Sequence, residues 1–117
     1  MLKTTDPVFQ EGIRKFNAYR FFEAHEAWEE LWHRTPDPGP EREIYQGLIQ
    51  LAAAGHHFMR GNLAGVEGCL KNAHRHLDPH LKDVSEFDLV GFIQAVERSV
   101  VCRAPVTFPK LSIKESG

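Results

Sequence analysis

A histidine and a glutamate four residues apart, His25 and Glu29, are the side chains of this sequence best placed to do chemistry. The segment 21–32 around them has no glycine or proline and predicts a helix, in which positions i and i+4 project side by side. Winding this helix at roughly 100° per residue places both side chains in an apolar arc that contains Trp28 and Trp32. An unpaired carboxylate on a core face costs on the order of several kcal/mol. The sequence therefore predicts that Glu29 is buried and that a partner compensates its charge.

A second polar stripe lies on the helix predicted from Pro40 to Arg60. This helix is apolar around most of its circumference, which predicts a central position in the fold. We expect its stripe to face His25 and Glu29 across the bundle, because each stripe needs polar partners there. The predicted ligand-binding site then consists of six residues: His25, Glu26, Glu29, Gln46, Gln50 and His57.

Three kinds of role fit such a group of side chains. His25, Glu29 and His57 could ligate a divalent metal, since imidazole and carboxylate groups at i and i+4 match helical metal ligands. The same groups could line a small-molecule pocket, where Glu29 would act as a general base and His25 as an acid. They could also form a structural hydrogen-bond network that sets the helix register. No nucleophile or phosphate-binding loop is recognisable, so the sequence leaves enzymatic activity open.

The elements that position these residues are all predicted to be helices. Asp6 and Pro7 are typical of a helix start, and Ser85 with Asp88 resembles a capping box before the last helix. The apolar spacing predicts helices over about 7–16, 21–33, 40–60, 63–77 and 89–100. Gly47 and Gly55 lie in the apolar arc of the third helix and predict close approach of neighbouring helices.

Two similar turns, at 16–21 and 58–63, lie about 42 residues apart and each predicts a helical hairpin, weakly like a tetratricopeptide unit. We therefore predict an all-α fold, a compact bundle of about five helices. It consists of two helical hairpins, a C-terminal helix and an extended tail at 106–108 that packs across the bundle. Residues 1–117 form one domain.

Composition argues against several classes of protein, among them nucleic-acid-binding and membrane-spanning proteins. A chain of 117 residues, 42% apolar and 26% charged, with a formal charge of −2, is typical of an ordinary soluble protein. Scattered Lys and Arg argue against a nucleic-acid partner, and no apolar run approaches the roughly 20 residues of a membrane span. The N-terminal residues lack the apolar stretch of a signal peptide, so we expect a cytoplasmic protein. Cys69 and Cys102 occupy apolar helical positions and are predicted to be reduced core residues.

Protein–protein contact is the alternative to a ligand site. The aromatic content suits a helical-hairpin scaffold that binds another protein or forms a homo-oligomer, with the polar cluster purely structural. Trp28 and Trp32 are predicted to belong to the core and His56 to be structural. The remaining histidines of the middle third are predicted to lie on the surface near a helix C-terminus, where imidazolium is favourable: His74, His76 and His80.

Two motifs carry a family resemblance. They are Phe22-Glu-Ala-His-Glu-Ala-Trp-Glu-Glu-Leu-Trp32 and Gln46-Gly-Leu-Ile-Gln50, followed by Gly61-Asn-Leu-Ala-Gly65. Together they resemble the small bacterial and archaeal proteins of domain-of-unknown-function family 309, over roughly residues 10 to 80. The resemblance implies a single-domain, all-helical protein without an established biochemical activity. The family's His-Glu-x-x-Glu and Gln-Gly-Leu-Ile-Gln signatures correspond to His25, Glu26, Glu29, Gln46 and Gln50.

Overall fold

The computed structural model describes residues 2–36 and 38–111. Within these residues the chain forms helices and no strand, which confirms the all-α prediction. The elements are α1 (Pro7–Asn17), α2 (Phe21–His33), α3 (Pro40–Met59), α4 (Leu63–Leu77), a single 3-10 turn (Asp78–His80) and α5 (Leu89–Cys102). None of the helices in this part of the chain has the length and apolarity that a bilayer span requires.

Aspartate side chains cap the N-termini of α1 and α5. The Asp6 carboxylate accepts a hydrogen bond from the Val8 amide at 2.8 Å, and Pro7 follows it at the first helical position, as predicted. Asp88 caps α5 by accepting from the Gly91 amide at 2.9 Å. The capping box predicted to begin at Ser85 is therefore wrong, because Asp88 is itself the cap and the helix begins after it.

Helix α3 lies at the centre of the bundle, packed against α2 and α4, while α1 packs on α2. Its two glycines allow these contacts. A methyl group added at Gly47 would overlap the Leu77 side chain of α4, and one added at Gly55 would lie 2.7 Å from Cγ of Phe21 on α2. The close approach predicted from Gly47 and Gly55 is therefore confirmed.

An aromatic cluster joins α1, α2 and the tail. Trp28 is fully buried, and its indole N–H donates to the carbonyl of Phe9 at 3.2 Å. The Phe108 ring lies 5.6 Å from the Trp28 ring, and the Phe108 amide donates to the Asn17 side-chain oxygen at 2.7 Å. The tail packs across the bundle as predicted.

Two core predictions need correction. Trp32 is only partly buried: it packs against the edge of the core, and the Arg42 guanidinium lies over its ring at 4.1 Å. Both cysteines are free thiols, but Cys102 is exposed, since it ends α5 beyond the last buried turn at Val96. Cys69 is partly buried, and burial raises the pKa of its thiol.

The three histidines predicted at the surface each pair with a carboxylate and are partly buried. His76 pairs with Glu43 of α3, and His80 pairs with Asp83 in the loop after α4. His74 connects α4 to α5, because its Nδ1 lies 2.9 Å from Asp78 and its Nε2 3.1 Å from Glu97 of α5. Both nitrogens can donate only in the imidazolium form, and these hydrogen bonds raise the pKa of His74.

We expect His74→Gln to lower the melting temperature most at mildly acidic pH. A pKa raised on folding gives stability that is fully present below the unfolded value, about 6.5, and is lost as pH rises through the folded value. The effect is small, since 39% of the His74 side chain is exposed and solvent screens the pairs. Thermal melts of both proteins from about pH 5.5 to pH 8.5 test this. A difference that grows with pH would contradict it.

Candidate functional site

The predicted pair on α2 is present but not buried. His25 Nε2 lies 3.6 Å from Glu29 Oε2, while 45% of the Glu29 side chain is exposed. The prediction that Glu29 is buried is therefore wrong. The buried stripe of α2 is narrower than the predicted arc and consists of Phe21, Ala24, Trp28 and Leu31. Phe22 is 51% exposed and Trp32 is partly buried, so both lie at the edges of this stripe.

The His25 ring is held against Phe22. Their rings stack at 5.9 Å with an interplanar angle of 15°. One ring nitrogen of His25, Nδ1, is buried and has no hydrogen-bond partner in the part of the chain that is described. The imidazole is therefore oriented by ring contact and by Glu29, and its second nitrogen is left unsatisfied.

His56, rather than the predicted His57, is the α3 histidine near this pair. The Phe22 ring lies 5.3 Å from the His56 ring. Burial lowers the pKa of His56, and the positive charges of Arg60, His57 and His25 lower it further. His56 was predicted to be structural and was not among the predicted site residues, although its neighbour Gly55 was predicted to contact another helix and is the position where α3 meets α2.

The remaining predicted site residues do not converge on His25. His57 lies at the α3–α4 turn, where its Nδ1 is 3.2 Å from Asn62 Nδ2 and its carbonyl accepts the Asn62 amide at 2.9 Å. Gln46 and Gln50 are partly buried, and neither amide forms a hydrogen bond with His25, Glu29 or His57 in residues 2–36 and 38–111. Glu26 is exposed.

The predicted metal ligands do not assemble into a centre. Across the described ranges, no group of three or more His, Cys, Asp or Glu side chains is arranged so that it could hold a metal ion. His25 and Glu29 share one face of α2, while His57 is engaged at the α3–α4 turn. The structure thus brings together His25 and Glu29, adds His56 beside them, and leaves His57 apart.

A different surface has the shape of a binding site. Two adjoining cavities of about 410 and 440 Å³ share three lining residues, Phe58, Met59 and Arg103. They lie where the α1–α2 turn, the α3–α4 turn and the end of α5 meet. We define this surface as the end groove, lined by Tyr19, Phe21, Phe58, Met59, Gly61, Leu63, Ser99, Arg103, Ala104, Pro105 and Val106. The groove was not predicted from the sequence, because its residues come from separate stretches of the chain.

The end groove combines exposed apolar side chains with an unusual backbone. Met59 and Leu63 are 64% and 65% exposed, and Tyr19 is 45% exposed. Tyr19 and Arg103 both have left-handed backbone conformations, with φ of 61° and 53°, which residues other than glycine rarely adopt. Such conformations concentrate at functional sites.

Comparison with known proteins gives the family. A family model described as a domain of unknown function, DUF309, matches residues 9–69, just over half of the chain. The chain belongs to the DUF309 family. The resemblance inferred from the motifs at His25 and Gln46 is thereby confirmed. The DUF309 match covers α2, α3 and the predicted polar residues, whereas Arg103 lies outside the matched residues.

One relative in the comparison is the uncharacterised protein YpuF of Bacillus subtilis (strain 168). It is 37% identical to this DUF309 chain over 83 residues, which cover 70% of this chain and 47% of YpuF. The chain therefore spans about half the length of this relative. Neither the family description nor the relative's name states an activity.

Proposed function

We propose that this DUF309 protein is a helical binding module that takes up a segment of a partner protein in the end groove. One observation carries the proposal: the exposed side chains of Met59, Leu63 and Tyr19 gather around two adjoining cavities. Single exposed apolar residues are ordinary on a protein surface, whereas apolar residues grouped around a groove are typical of an interaction site.

The exposure of the groove favours a protein segment over a small molecule. Small-molecule sites bury about 70–90% of their ligand. The walls formed by Met59 and Leu63 are themselves about two-thirds exposed, so a small ligand would keep much of its surface in water. A protein segment brings additional surface that covers these side chains from the solvent side.

We further propose a structural role for the polar residues singled out in the sequence: His25, Glu26, Glu29, Gln46, Gln50 and His57. The contact between His25 and Glu29 orders one face of α2, and the contacts of His57 with Asn62 order the α3–α4 turn. That turn contributes Gly61 to the groove, so His57 supports the groove without lining it.

A displayed peptide library, selected on the wild-type protein, tests the binding module. We expect selected peptides to bind the double variant Met59→Gln/Leu63→Gln more than about tenfold more weakly, since it removes two apolar anchors. Both residues are exposed, and glutamine is a good helix former, so the fold should be retained. The matched control is Val90→Gln/Val101→Gln, which changes two exposed valines of α5 that line neither cavity.

The variant Glu29→Gln tests whether binding depends instead on the polar residues of α2. The binding module predicts unchanged peptide affinity for this variant. Loss of binding in Glu29→Gln, with binding kept in Met59→Gln/Leu63→Gln, would move the function to the polar residues of α2. Stoichiometric metal in protein purified without chelator, absent from Glu29→Gln, would do the same and restore the metal hypothesis for His25 and Glu29.

A further inference from the structure

We infer that the segment bound in the end groove is an acidic amphipathic helix, whose apolar side chains enter the two cavities and whose carboxylates pair with Arg103. This inference rests on the proposed binding module and specifies its partner. It depends on three features of the groove: its charge, its lack of a strand edge, and the backbone at Arg103.

The charge that the described residues place at the mouth of the groove is positive. Arg103 is the one charged residue among the described residues that line either cavity, and it forms no ion pair within residues 2–36 and 38–111. Arg60, next to Met59, is exposed and likewise has no ion pair in these ranges. The carboxylate of Glu23, two residues after the lining residue Phe21, is already held by Lys15 at 3.0 Å and Arg20 at 2.9 Å. Glu67, one turn beyond Leu63, lines neither cavity.

The positive charge favours an acidic segment over a basic segment or a second copy of the chain. A second copy of the chain bound symmetrically through the same surface would bring the arginines of the two copies together, and like charges oppose such contact. A basic segment meets the same repulsion. An acidic segment gains attraction to Arg103 and Arg60 and also associates faster at low ionic strength.

The secondary structure selects a helix over an extended peptide. An extended segment binds well where it can add a strand to an open sheet edge. The described part of the chain contains no strand, so an extended segment would find no sheet edge with which to pair its backbone N–H and C=O groups. A helix satisfies its own backbone and presents apolar side chains one turn apart. The two adjoining cavities, joined at Phe58 and Met59, accept two such anchors in succession.

The backbone at Arg103 supports a role in binding. The residue lies directly after α5 in the left-handed conformation, the position where helices usually end with glycine. Arginine is disfavoured there, so its guanidinium stands at the groove at an energetic cost to the fold. Replacing Arg103 by glycine relieves the backbone strain and also removes the charge. The first effect changes the melting temperature and the second changes the peptide affinity, so the two can be measured separately.

Two synthetic helical peptides with the same leucine face test the inference, one flanked by glutamates and the other by lysines. Fluorescence anisotropy should show binding of the glutamate peptide, about tenfold weaker binding of the lysine peptide, and a preference that shrinks as salt is added. Arg103→Gly should raise the melting temperature, yet weaken the glutamate peptide several-fold. Arg103→Glu should reverse the preference. Arg98→Gln, an exposed cation on α5 outside both cavities, is the control and should change neither affinity.

The outcomes separate this inference from the binding module. If both peptides bind equally and Met59→Gln/Leu63→Gln abolishes both, the groove binds protein segments and the acidic-helix inference is wrong. If neither peptide binds, the inference is wrong, and the library selection alone decides the binding module. Self-association that Met59→Gln/Leu63→Gln prevents, or binding to anionic phospholipid vesicles that it prevents, would identify another occupant and overturn the inference.

Discussion

Replacing Trp28 by alanine is expected to lower the free energy of unfolding by about 3–5 kcal/mol. Trp28 is fully buried, and its ring contacts Phe9, Phe16 and Phe108 at centroid distances of 6.1, 5.9 and 5.6 Å. Its removal opens a cavity at the point where α1, α2 and the tail meet. Because domains of this size are stable by about 5–15 kcal/mol, this single change removes a large part of the total.

Denaturant unfolding of Trp28→Ala, Trp28→Phe and Trp32→Ala checks this expectation. Trp28→Phe should lower the free energy of unfolding by less than Trp28→Ala, because the cavity it leaves is smaller. The remaining cost comes from that cavity and from the buried Phe9 carbonyl, which loses the indole donor. Trp32 is only partly buried beneath the Arg42 guanidinium, so Trp32→Ala is the comparison for an edge position. A Trp32→Ala loss as large as that of Trp28→Ala would contradict the central role of Trp28.

Replacing Trp28 by alanine should also loosen the wall of the end groove. Phe16 stacks on Trp28 and makes an edge contact with Phe21 at 4.9 Å, and Phe21 lines the groove. A cavity at Trp28 therefore loosens the wall against which a bound segment packs. The groove depends on the aromatic core as well as on the side chains at its surface.

Gly12→Ala is expected to destabilise the protein by about 1–3 kcal/mol, although alanine favours a helix by about 1 kcal/mol over glycine. A methyl group at Gly12 would overlap the Trp28 indole. That ring cannot retreat, because it is fully buried and its N–H is bonded to the Phe9 carbonyl. Overpacking therefore outweighs the gain in helix propensity.

Gly68→Ala is the matched control for Gly12→Ala. Gly68 also lies within a helix, α4, but a methyl group there meets nothing within 4 Å. We expect Gly68→Ala to stabilise the protein by about 0.5–1 kcal/mol. Unfolding midpoints that shift in the same direction for both substitutions would show that packing at Trp28 does not govern Gly12.

Local features of the fold follow from the sequence alone. The cap at Asp6, the order of five helices, and the glycines Gly47 and Gly55 were all predictable, because each depends on a few neighbouring residues. The buried position of Trp28 and the packing of Phe108 were predictable as well. Hydrophobic periodicity specifies that a helix has an apolar face, and so it indicates which residues are candidates for the core.

The tertiary structure alone decides how wide that face is and what covers it. Glu29 falls outside the contact between α2 and its neighbours, and Arg42 takes the place of core packing over Trp32. His56 lies against Phe22, whose ring also stacks on His25, because Gly55 lets α3 approach α2 closely. No local pattern contains that distance between helices. The end groove exists only because the α1–α2 turn, the α3–α4 turn and the end of α5 meet at one end of the bundle. Periodicity describes one helix at a time, whereas burial and binding surfaces depend on the distances between helices.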